Sequence, residues 1–181
     1  IEFSSLAEIR SSIPLIKKSE NYVDFLTPKI SLRANPSDMK NHSTAERIIN
    51  SDNIFSIDRL GLVDTFESGR SLTFGVDYKK QMLKDVNKYF EVKLATVLRD
   101  KKENFIPKKT TINKKSSNIF GSLSTNFSEN FNLNYKFAID NNLDDIGYND
   151  VGATFSVNNF ITTFNYIKEK DEMGDQNFIK N

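Results

Sequence analysis

The stretch SSNIFGSLSTNFSENFNLNYKFAID, from Ser116 to Asp140, decides the fold because its large apolar side chains recur at every second position. A period of two is the signature of a β-strand with one apolar face. If residues 128–130 form a three-residue turn, the predicted partners are Phe127 with Phe131, Thr125 with Leu133, Leu123 with Tyr135, Gly121 with Phe137 and Ile119 with Ile139. One face of this hairpin is then aromatic and aliphatic, and the other is polar.

The segment VGATFSVNNFITTFNYI, from Val151 to Ile167, predicts a second hairpin of the same kind. With Asn158 and Asn159 as a two-residue turn, the expected partners are Val157 with Phe160, Phe155 with Thr162, Ala153 with Phe164 and Val151 with Tyr166. A sheet that is apolar on one side and lined by Asn, Ser, Thr and Lys on the other suits a transmembrane β-barrel, with lipid outside and water inside. A soluble sandwich, in which the apolar face packs as a core, satisfies the same pattern.

The same alternation runs through most of the chain. It predicts strands at about 22–33, 67–79, 89–99, 118–127, 131–140, 148–157 and 160–168. Residues 1–20 are predicted to be a connector or a preceding strand broken at Pro14, and residues 21–181 to be part of a barrel domain. We therefore expect an all-β fold, an antiparallel up-and-down meander that forms part of a transmembrane outer-membrane β-barrel.

The connections between the predicted strands alternate in length. Residues 37–65 and 100–117 form long polar loops, whereas residues 80–88, 128–130 and 158–159 form short turns. Long external loops and short periplasmic turns are typical of outer-membrane barrels, whose strands need about nine to eleven residues to cross the hydrocarbon layer. Within the first loop, STAERIIN at residues 43–50 is the best helix candidate, and upstream Pro28 predicts an edge, a bulge or a strand start.

The composition excludes several classes of function. The 181 residues include 25 basic and 24 acidic side chains, and the resulting formal charge of +1 gives no argument for a nucleic-acid partner. There is no cysteine for a disulfide or a thiolate metal site, and no apolar run approaches the length of a membrane helix. The sequence begins at Ile1 without an initiator methionine, so we expect a piece of a longer protein.

Catalytic constellations are not visible in the sequence. His42 is the single histidine, and we expect it to be a loop residue. The run from Asp140 to Asp145 places oxygens at alternate positions as a calcium loop does, but it lacks the glycine and glutamate that complete one, so it predicts a solvated turn. We therefore predict no enzyme activity, no cofactor and no metal site.

The polar face of the predicted sheet supplies the candidate functional residues. In a barrel these side chains line an aqueous lumen, where the basic ones can contact anionic sugars or phosphates. The alternative is a face that is simply hydrated. The predicted lumen-facing residues are Asp77, Glu91, Lys93, Arg99, Asn132, Asn134 and Lys136.

The segment NIFSIDRLGLVDTFESGRSLTFGVDYKK, from Asn53 to Lys80, resembles a recurring segment of the LPS-assembly protein family LptD, also called the organic solvent tolerance protein or OstA. In that family a loop of the form N-x-F-S-x-x-R precedes a strand of the form E-x-G-R-x-x-x-x-G-x-x-Y. The matching residues here are Asn53, Phe55, Ser56, Asp58, Arg59, Glu67, Gly69, Arg70, Gly75 and Tyr78. The similarity covers roughly residues 13–181.

The resemblance implies a large barrel in the outer membrane of a Gram-negative bacterium, joined to a periplasmic β-jellyroll and plugged by the lipoprotein LptE. Such a barrel receives lipopolysaccharide from a periplasmic transport bridge and inserts it into the outer leaflet, so the implied partners are lipopolysaccharide, LptE, that bridge and outer-membrane lipid. The predicted strands are fewer than this barrel needs, and we expect a fragment of the C-terminal barrel domain that does not close alone. A porin-like channel and a soluble β-sheet binding module are the alternatives.

Overall fold

The computed structural model describes residues 5–170 and 173–180, which form ten β-strands and one short 3-10 turn. The strands are β1 (Ala7–Ser12), β2 (Leu15–Lys18), β3 (Tyr22–Asn35), β4 (Gly69–Met82), β5 (Tyr89–Arg99), β6 (Ile119–Ser128), β7 (Phe131–Ile139), β8 (Ile146–Val157), β9 (Phe160–Glu169) and β10 (Gln176–Lys180). The 3-10 turn is Lys108–Thr110, between β5 and β6.

All of these strands belong to one antiparallel sheet in which β3 to β10 follow one another in chain order. At one edge, β1 and β2 pair in succession with the two halves of β3, and at the other edge lies β10. The predicted all-β antiparallel meander is confirmed. In the described part of the chain the sheet remains open, because these two edges do not pair with each other.

The register of the second hairpin agrees with the alternation at every predicted pair, from Val157 opposite Phe160 to Val151 opposite Tyr166. Its turn places Asn158 at a φ of 53°, a left-handed conformation that asparagine tolerates well. In the first hairpin the pairs from Thr125 with Leu133 to Ile119 with Ile139 are also as predicted. Phe127, however, does not pair with Phe131. A bulge follows Asn126 and Ser128 takes that place.

The predicted strands correspond to β3 through β9, with ends that differ by up to three residues. Two strands, β1 and β2, lie within residues 1–20, and they are separated at Ile13 and Pro14. Pro28 is neither at an edge nor at a strand start: it lies in the middle of β3, opposite this break. Its missing N–H group therefore removes no bond from a continuous ladder, while its carbonyl oxygen accepts a hydrogen bond from Ile13 N at 3.1 Å.

The two faces of the sheet have opposite character. We call the face covered by the long loops the inner face and the opposite face the outer face. On the outer face the register aligns Ile9, Leu32, Leu72 and Leu98 across four strands. Ile9, Leu32 and Leu98 are 41–73% exposed, although their side chains are fully apolar. Apolar side chains left uncovered in a continuous row form the surface that lipid covers in a membrane barrel.

The buried core lies on the inner face, between the strands and two long loops. The β3–β4 loop (residues 36–68) and the β5–β6 loop (residues 100–118) both fold back over the sheet. The buried apolar side chains from the loops are Met39, Ile49, Ile54, Leu60, Ile106 and Ile112, and those from the strands are Ala95, Val97, Phe120 and Ala138. The loops are therefore packed structure and not solvated connections.

The helix predicted at residues 43–50 is wrong, because this segment is irregular. Its main chain bonds to the other loop instead, with His42 N donating to Phe105 O at 2.9 Å and Lys108 N donating to Ser43 O at 3.1 Å. A two-turn helix has little stability of its own, so these contacts and the burial of Ile49 decide the conformation. No helix within residues 5–170 and 173–180 is long and apolar enough to cross a membrane.

The assignment of the two faces makes a prediction for Leu94, an outer-face residue near the middle of β5. Leu94→Arg should lower the free energy of unfolding by about 2–4 kcal/mol, because it places a charge near the bilayer midplane. The matched control Asn134→Arg, on the exposed inner face of β7, should cost much less. Urea unfolding of the full-length protein in lipid vesicles measures both changes, and equal costs would contradict the assignment.

Candidate functional site: a loop docked on the inner face

All of the predicted lumen-facing residues lie on the inner face, as the register shows for Asp77 opposite Lys93 and for Ser122 between Lys93 and Lys136. Their surroundings differ along the strands. Arg99 is buried near the loop end of the sheet. The pairs Asp77 with Lys29 and Glu91 with Lys93 form ion pairs in the middle of the sheet, and the asparagines of β7 lie towards the turn end.

A buried carboxylate, Glu67, joins the β3–β4 loop to this face. Arg59, in the same loop, binds it through two parallel hydrogen bonds of 2.6 Å, from Nε to Oε2 and from Nη2 to Oε1. Arg99 on β5 donates from Nη1 to Oε1 of the same carboxylate and from Nη2 to the carbonyl oxygen of Ser68. Ser71 on β4 adds a hydroxyl donor at 3.2 Å. Such bidentate, charge-assisted contacts fix geometry as well as charge.

Arg59 also bonds directly to the wall of the sheet. Its Nη1 donates to Thr73 Oγ1 at 2.9 Å and its Nη2 to Ser71 Oγ at 3.0 Å. The Arg59 side chain is fully buried. A guanidinium in this position has nearly all of its donors satisfied by the carboxylate, the two hydroxyls and the carbonyl of Ile54, which accepts at 3.4 Å.

The network continues along the inner face to β1. Arg33 on β3 lies 3.8 Å from Glu67 (Nη1 to Oε2) and 3.2 Å from Glu8 (Nη2 to Oε1). Glu8 also accepts from Ser31 at 2.6 Å and from Arg10 at 2.9 Å. Arg33 donates in addition to the main-chain oxygen of Ser56. One chain of alternating charges therefore ties the edge strand, the wall and the loop together.

The charges around Glu67 overcome the effect of its burial. Burial by itself would raise the pKa of the carboxyl group, whereas the charge and hydrogen bonds of Arg59, followed by the charges of Arg99 and Arg33, lower it. The result is a pKa of about 2 for Glu67, against an ordinary value of 4.5. The carboxylate is therefore ionised at any physiological pH.

A second contact holds the tip of the same loop in the middle of the sheet. Asp52 binds Lys136 (Oδ2 to Nζ, 2.9 Å) and Lys93 (Oδ1 to Nζ, 3.3 Å). Next to it, the hydroxyl groups of Ser51 and Ser122 lie 2.8 Å apart. Burial raises the pKa of Asp52, but the hydrogen bonds and charges of the two lysines outweigh it and lower the pKa. The loop thus neutralises the two most central cations of the inner face.

The family-motif residues shape this loop. Asn53 closes its tip, since its side chain donates to Ile48 O at 3.1 Å while its N–H donates to Asn50 Oδ1 at 3.1 Å. Asp58 caps the next turn by accepting from Gly61 N at 3.0 Å. The ring of Phe55 lies over Gly75 of β4, where an added Cβ would come within 2.7 Å of Cε2. The absence of a side chain at Gly75 therefore leaves the space that the ring occupies.

The remaining motif residues mark the end of the loop. Gly69 has a φ of 80°, which a side chain would strain, and it turns the chain from the loop into β4 beside Arg99. Arg70 points away from the Glu67 network: it is exposed and, with Asp38, Asp100 and other residues, lines a pocket of about 530 Å³ at the loop end. The motif thus serves mainly to dock the loop.

Towards the turn end of β6 and β7 the inner face is polar, uncharged and open. Asn134 donates to Asn132 Oδ1 at 2.6 Å and accepts from Ser124 at 2.8 Å, so amides and hydroxyls form a ladder across β6 and β7. The ladder continues on β8 and β9, where Thr154 and Thr163 lie opposite each other. Asn134 is exposed, and neither long loop reaches this part of the described sheet.

Several members of the site were not identified from the sequence: Glu8, Arg33, Ser51 and Asp52. For Arg33 a signal was present, because Lys29, Ser31, Arg33 and Asn35 are polar at every second position of β3. For Asp52 there was none, since nothing in a polar loop shows which acid will meet a lysine on a strand. His42 lies in the β3–β4 loop as expected.

A long antiparallel meander, with an uncovered apolar face and a polar face beneath its long loops, is the architecture of the outer-membrane β-barrel proteins. Within that class, the model of one family, described as LptD: LPS transport system D, matches residues 4–180. The chain belongs to this family of lipopolysaccharide transport and assembly proteins of the Gram-negative outer membrane. No curated protein matches the chain.

The Glu67 network makes a prediction about the docked loop. Glu67→Gln should lower the free energy of unfolding by about 3–5 kcal/mol, because it leaves three buried guanidinium groups without their shared carboxylate. Cleavage of the β3–β4 loop by an added protease, followed by mass spectrometry, should become faster in intact vesicles. The control Asp38→Asn, which removes an exposed carboxylate from the same loop, should change neither property. A loop equally protected in Glu67→Gln would contradict the docking role.

The lowered pKa of Glu67 makes a second prediction, on pH dependence. Because the folded-state pKa lies below the ordinary value of 4.5, the ionised carboxylate stabilises the fold above about pH 5, by roughly 3 kcal/mol. This stabilisation should be lost as the pH falls from about 4.5 towards 2. Unfolding measured across this range should show the difference between wild type and Glu67→Gln shrinking with acidification. A difference independent of pH would show that the carboxylate charge contributes nothing.

Proposed function

We propose that this chain is a wall segment of the barrel of the outer-membrane lipopolysaccharide translocon, which inserts lipopolysaccharide into the outer leaflet. The observation that carries the proposal is the division of one sheet into an uncovered apolar face and a polar, loop-covered inner face, in a member of a lipopolysaccharide transport family. The proposed role is that of a conduit, because the polar groups of the inner face hold one another in fixed positions and, among residues 5–170 and 173–180, no acid and base are brought together for covalent chemistry.

The distribution of charge on the inner face suggests how a phosphorylated glycolipid moves along it. The ladder of Asn132, Asn134 and Ser124 offers neutral hydrogen-bonding groups to sugar hydroxyls near the turn end. Lys93 and Lys136, further along, are the cations nearest to that open region. Both lysines remain partly exposed while Asp52 binds them. A phosphate group that competes with Asp52 would find two ammonium groups already held together.

Arg99 has a different role in this proposal. Its side chain is 1% exposed and both of its terminal nitrogens are bound to the Glu67 carboxylate and the Ser68 carbonyl. We assign it to holding the loop and not to binding substrate. Asp77 and Glu91 likewise compensate the lysines of neighbouring positions.

The alternatives from the sequence are weaker in the light of the fold. A soluble binding module requires the apolar face to be packed, yet Phe74, Leu94 and Phe164 are all more than a third exposed on the outer face. A porin-like channel shares the architecture, and the family match favours lipopolysaccharide over small solutes. The plug lipoprotein LptE and the periplasmic transport bridge are partners that we propose from the family alone.

Photo-crosslinking in living cells tests the proposed path. The full-length protein with p-benzoylphenylalanine at Asn134 should crosslink to lipopolysaccharide. Lys93→Glu together with Lys136→Glu should reduce the yield about tenfold, since two favourable phosphate contacts become repulsive. Asp52→Asn should raise it, because both lysines lose their competing carboxylate.

Lys88→Glu, outside the inner face in the β4–β5 turn, is the matched control. Yields that do not respond to the two lysines would contradict their role, and no crosslink at Asn134 would contradict the path.

A further inference from the structure

The outer face carries a polar row, which includes a cation, at one end of its last three strands. The register places Asn149 of β8, Lys168 of β9 and Asn177 of β10 side by side near the loop end of their strands. At the loop ends of β3, β4 and β5 the outer face carries the row Leu32, Leu72 and Leu98, and a cation, Arg70, lies beyond it at the start of β4. A cation that faces lipid is costly unless it meets an anion or the membrane interface. At the membrane interface such a polar row faces lipid head groups, whose oxygens accept hydrogen bonds.

The row lies at the height of a membrane interface. Lys168 is eight residues along β9 from Phe160, the first residue after the turn, which is about 26 Å of strand and about 20 Å of height at a typical tilt. Phe160 and Val157 at the turn end, and Tyr135 and Tyr166 next to the polar row, fit the two aromatic and apolar borders of a lipid band. Because long loops face outwards in outer-membrane barrels, the row lies at the outer leaflet.

Below the row is an open groove of about 600 Å³. Its floor is apolar and formed by Leu123, Leu133 and Val151, and its upper end is formed by Asn149 and Lys168. An open apolar groove that ends in a cation and an amide is complementary to an acyl chain attached to an anionic head group. An acyl chain alone would need only the apolar part of the groove and not its polar end.

The polar end of the groove is pre-organised. The hydroxyl group of Tyr135 donates to Asn149 Oδ1 at 2.7 Å, so this hydrogen bond leaves the amide nitrogen of Asn149 as a donor. Tyr135 is itself stacked on Phe137, with ring centroids 5.4 Å apart. Phe137 lies over Gly121, where any side chain would clash with its ring. Lys168 is exposed and has no ion-pair partner among the described residues. Two donors are thus available for one phosphate group.

We infer that this groove is a lipopolysaccharide site on the outside of the barrel wall, separate from the inner face, with a lipid phosphate at Lys168 and Asn149 and an acyl chain over Leu133 and Val151. The inference rests on the membrane orientation in the proposed function. Such a site would retain a lipid molecule of the outer leaflet against β7, β8 and β9. Phosphate is the ligand that a lysine and an amide donor recognise together.

The test uses the full-length protein in phosphatidylethanolamine vesicles that contain purified lipopolysaccharide, with p-benzoylphenylalanine in place of Leu133. Crosslinking to lipopolysaccharide should fall about tenfold with Lys168→Gln, through loss of a charged hydrogen bond, and should be retained with Lys168→Arg. The matched control is Lys80→Gln, which removes an outer-face lysine at the opposite end of the sheet. Crosslinking from Asn134 on the inner face should be unchanged by Lys168→Gln, which separates this site from the proposed path.

Three other outcomes would each contradict the inference. Crosslinking that persists in Lys168→Gln would show that the cation is not involved. Equal crosslinking to lipopolysaccharide stripped of its phosphates would show a site for acyl chains only. Equal crosslinking to a labelled phosphatidylglycerol, added in place of lipopolysaccharide, would show a general site for anionic lipids.

Discussion

The ionised carboxylate of Glu67 is the point on which the inner half of this structure depends. It lies among the guanidinium groups of Arg59, Arg99 and Arg33, which come from the loop and from two different strands. Buried charges are stable only where they have partners, and here Arg59 and Arg99 hydrogen bond to the carboxylate while Arg33 adds its charge at 3.8 Å. A 33-residue connection between β3 and β4 is thereby fixed onto the wall and given one position.

This docking explains how one sheet can serve two environments. The outer face presents aliphatic and aromatic side chains to lipid, so no other part of the chain has to pack over it. The inner face is closed at the loop end by packed isoleucines and by the Glu67 network, and it is open at the turn end, where amides and hydroxyls dominate. A substrate that enters from the turn end along β6 and β7 would therefore meet neutral polar groups first and the paired lysines next, before it reaches the docked loop.

The alternation of side chains predicted the sheet because strand geometry converts a period of two directly into two faces. It placed Ile119 opposite Ile139 and Val157 opposite Phe160, as the structure has them. It missed the bulge after Asn126, because bulges depend on local turn geometry and leave the composition unchanged. The loops were predicted only as long polar connections, because the few residues that become buried cannot be recognised in a mostly polar segment. Arg59 and Glu67 were noted for their family motif, whereas their mutual contact appears only in the folded chain.

The central claim is that the tip of the β3–β4 loop lies against the inner face of the wall. Ser51→Cys combined with Ser122→Cys tests it directly, because these two hydroxyl oxygens lie 2.8 Å apart and the substitutions keep the side chains small. In the full-length protein in intact cells, mass spectrometry should detect a disulfide-linked peptide pair between positions 51 and 122. The combination of Ser51→Cys with Ser124→Cys, one inner-face position further along β6, should give little or none. Absence of the 51–122 link, or equal linkage at 124, would contradict the docked loop.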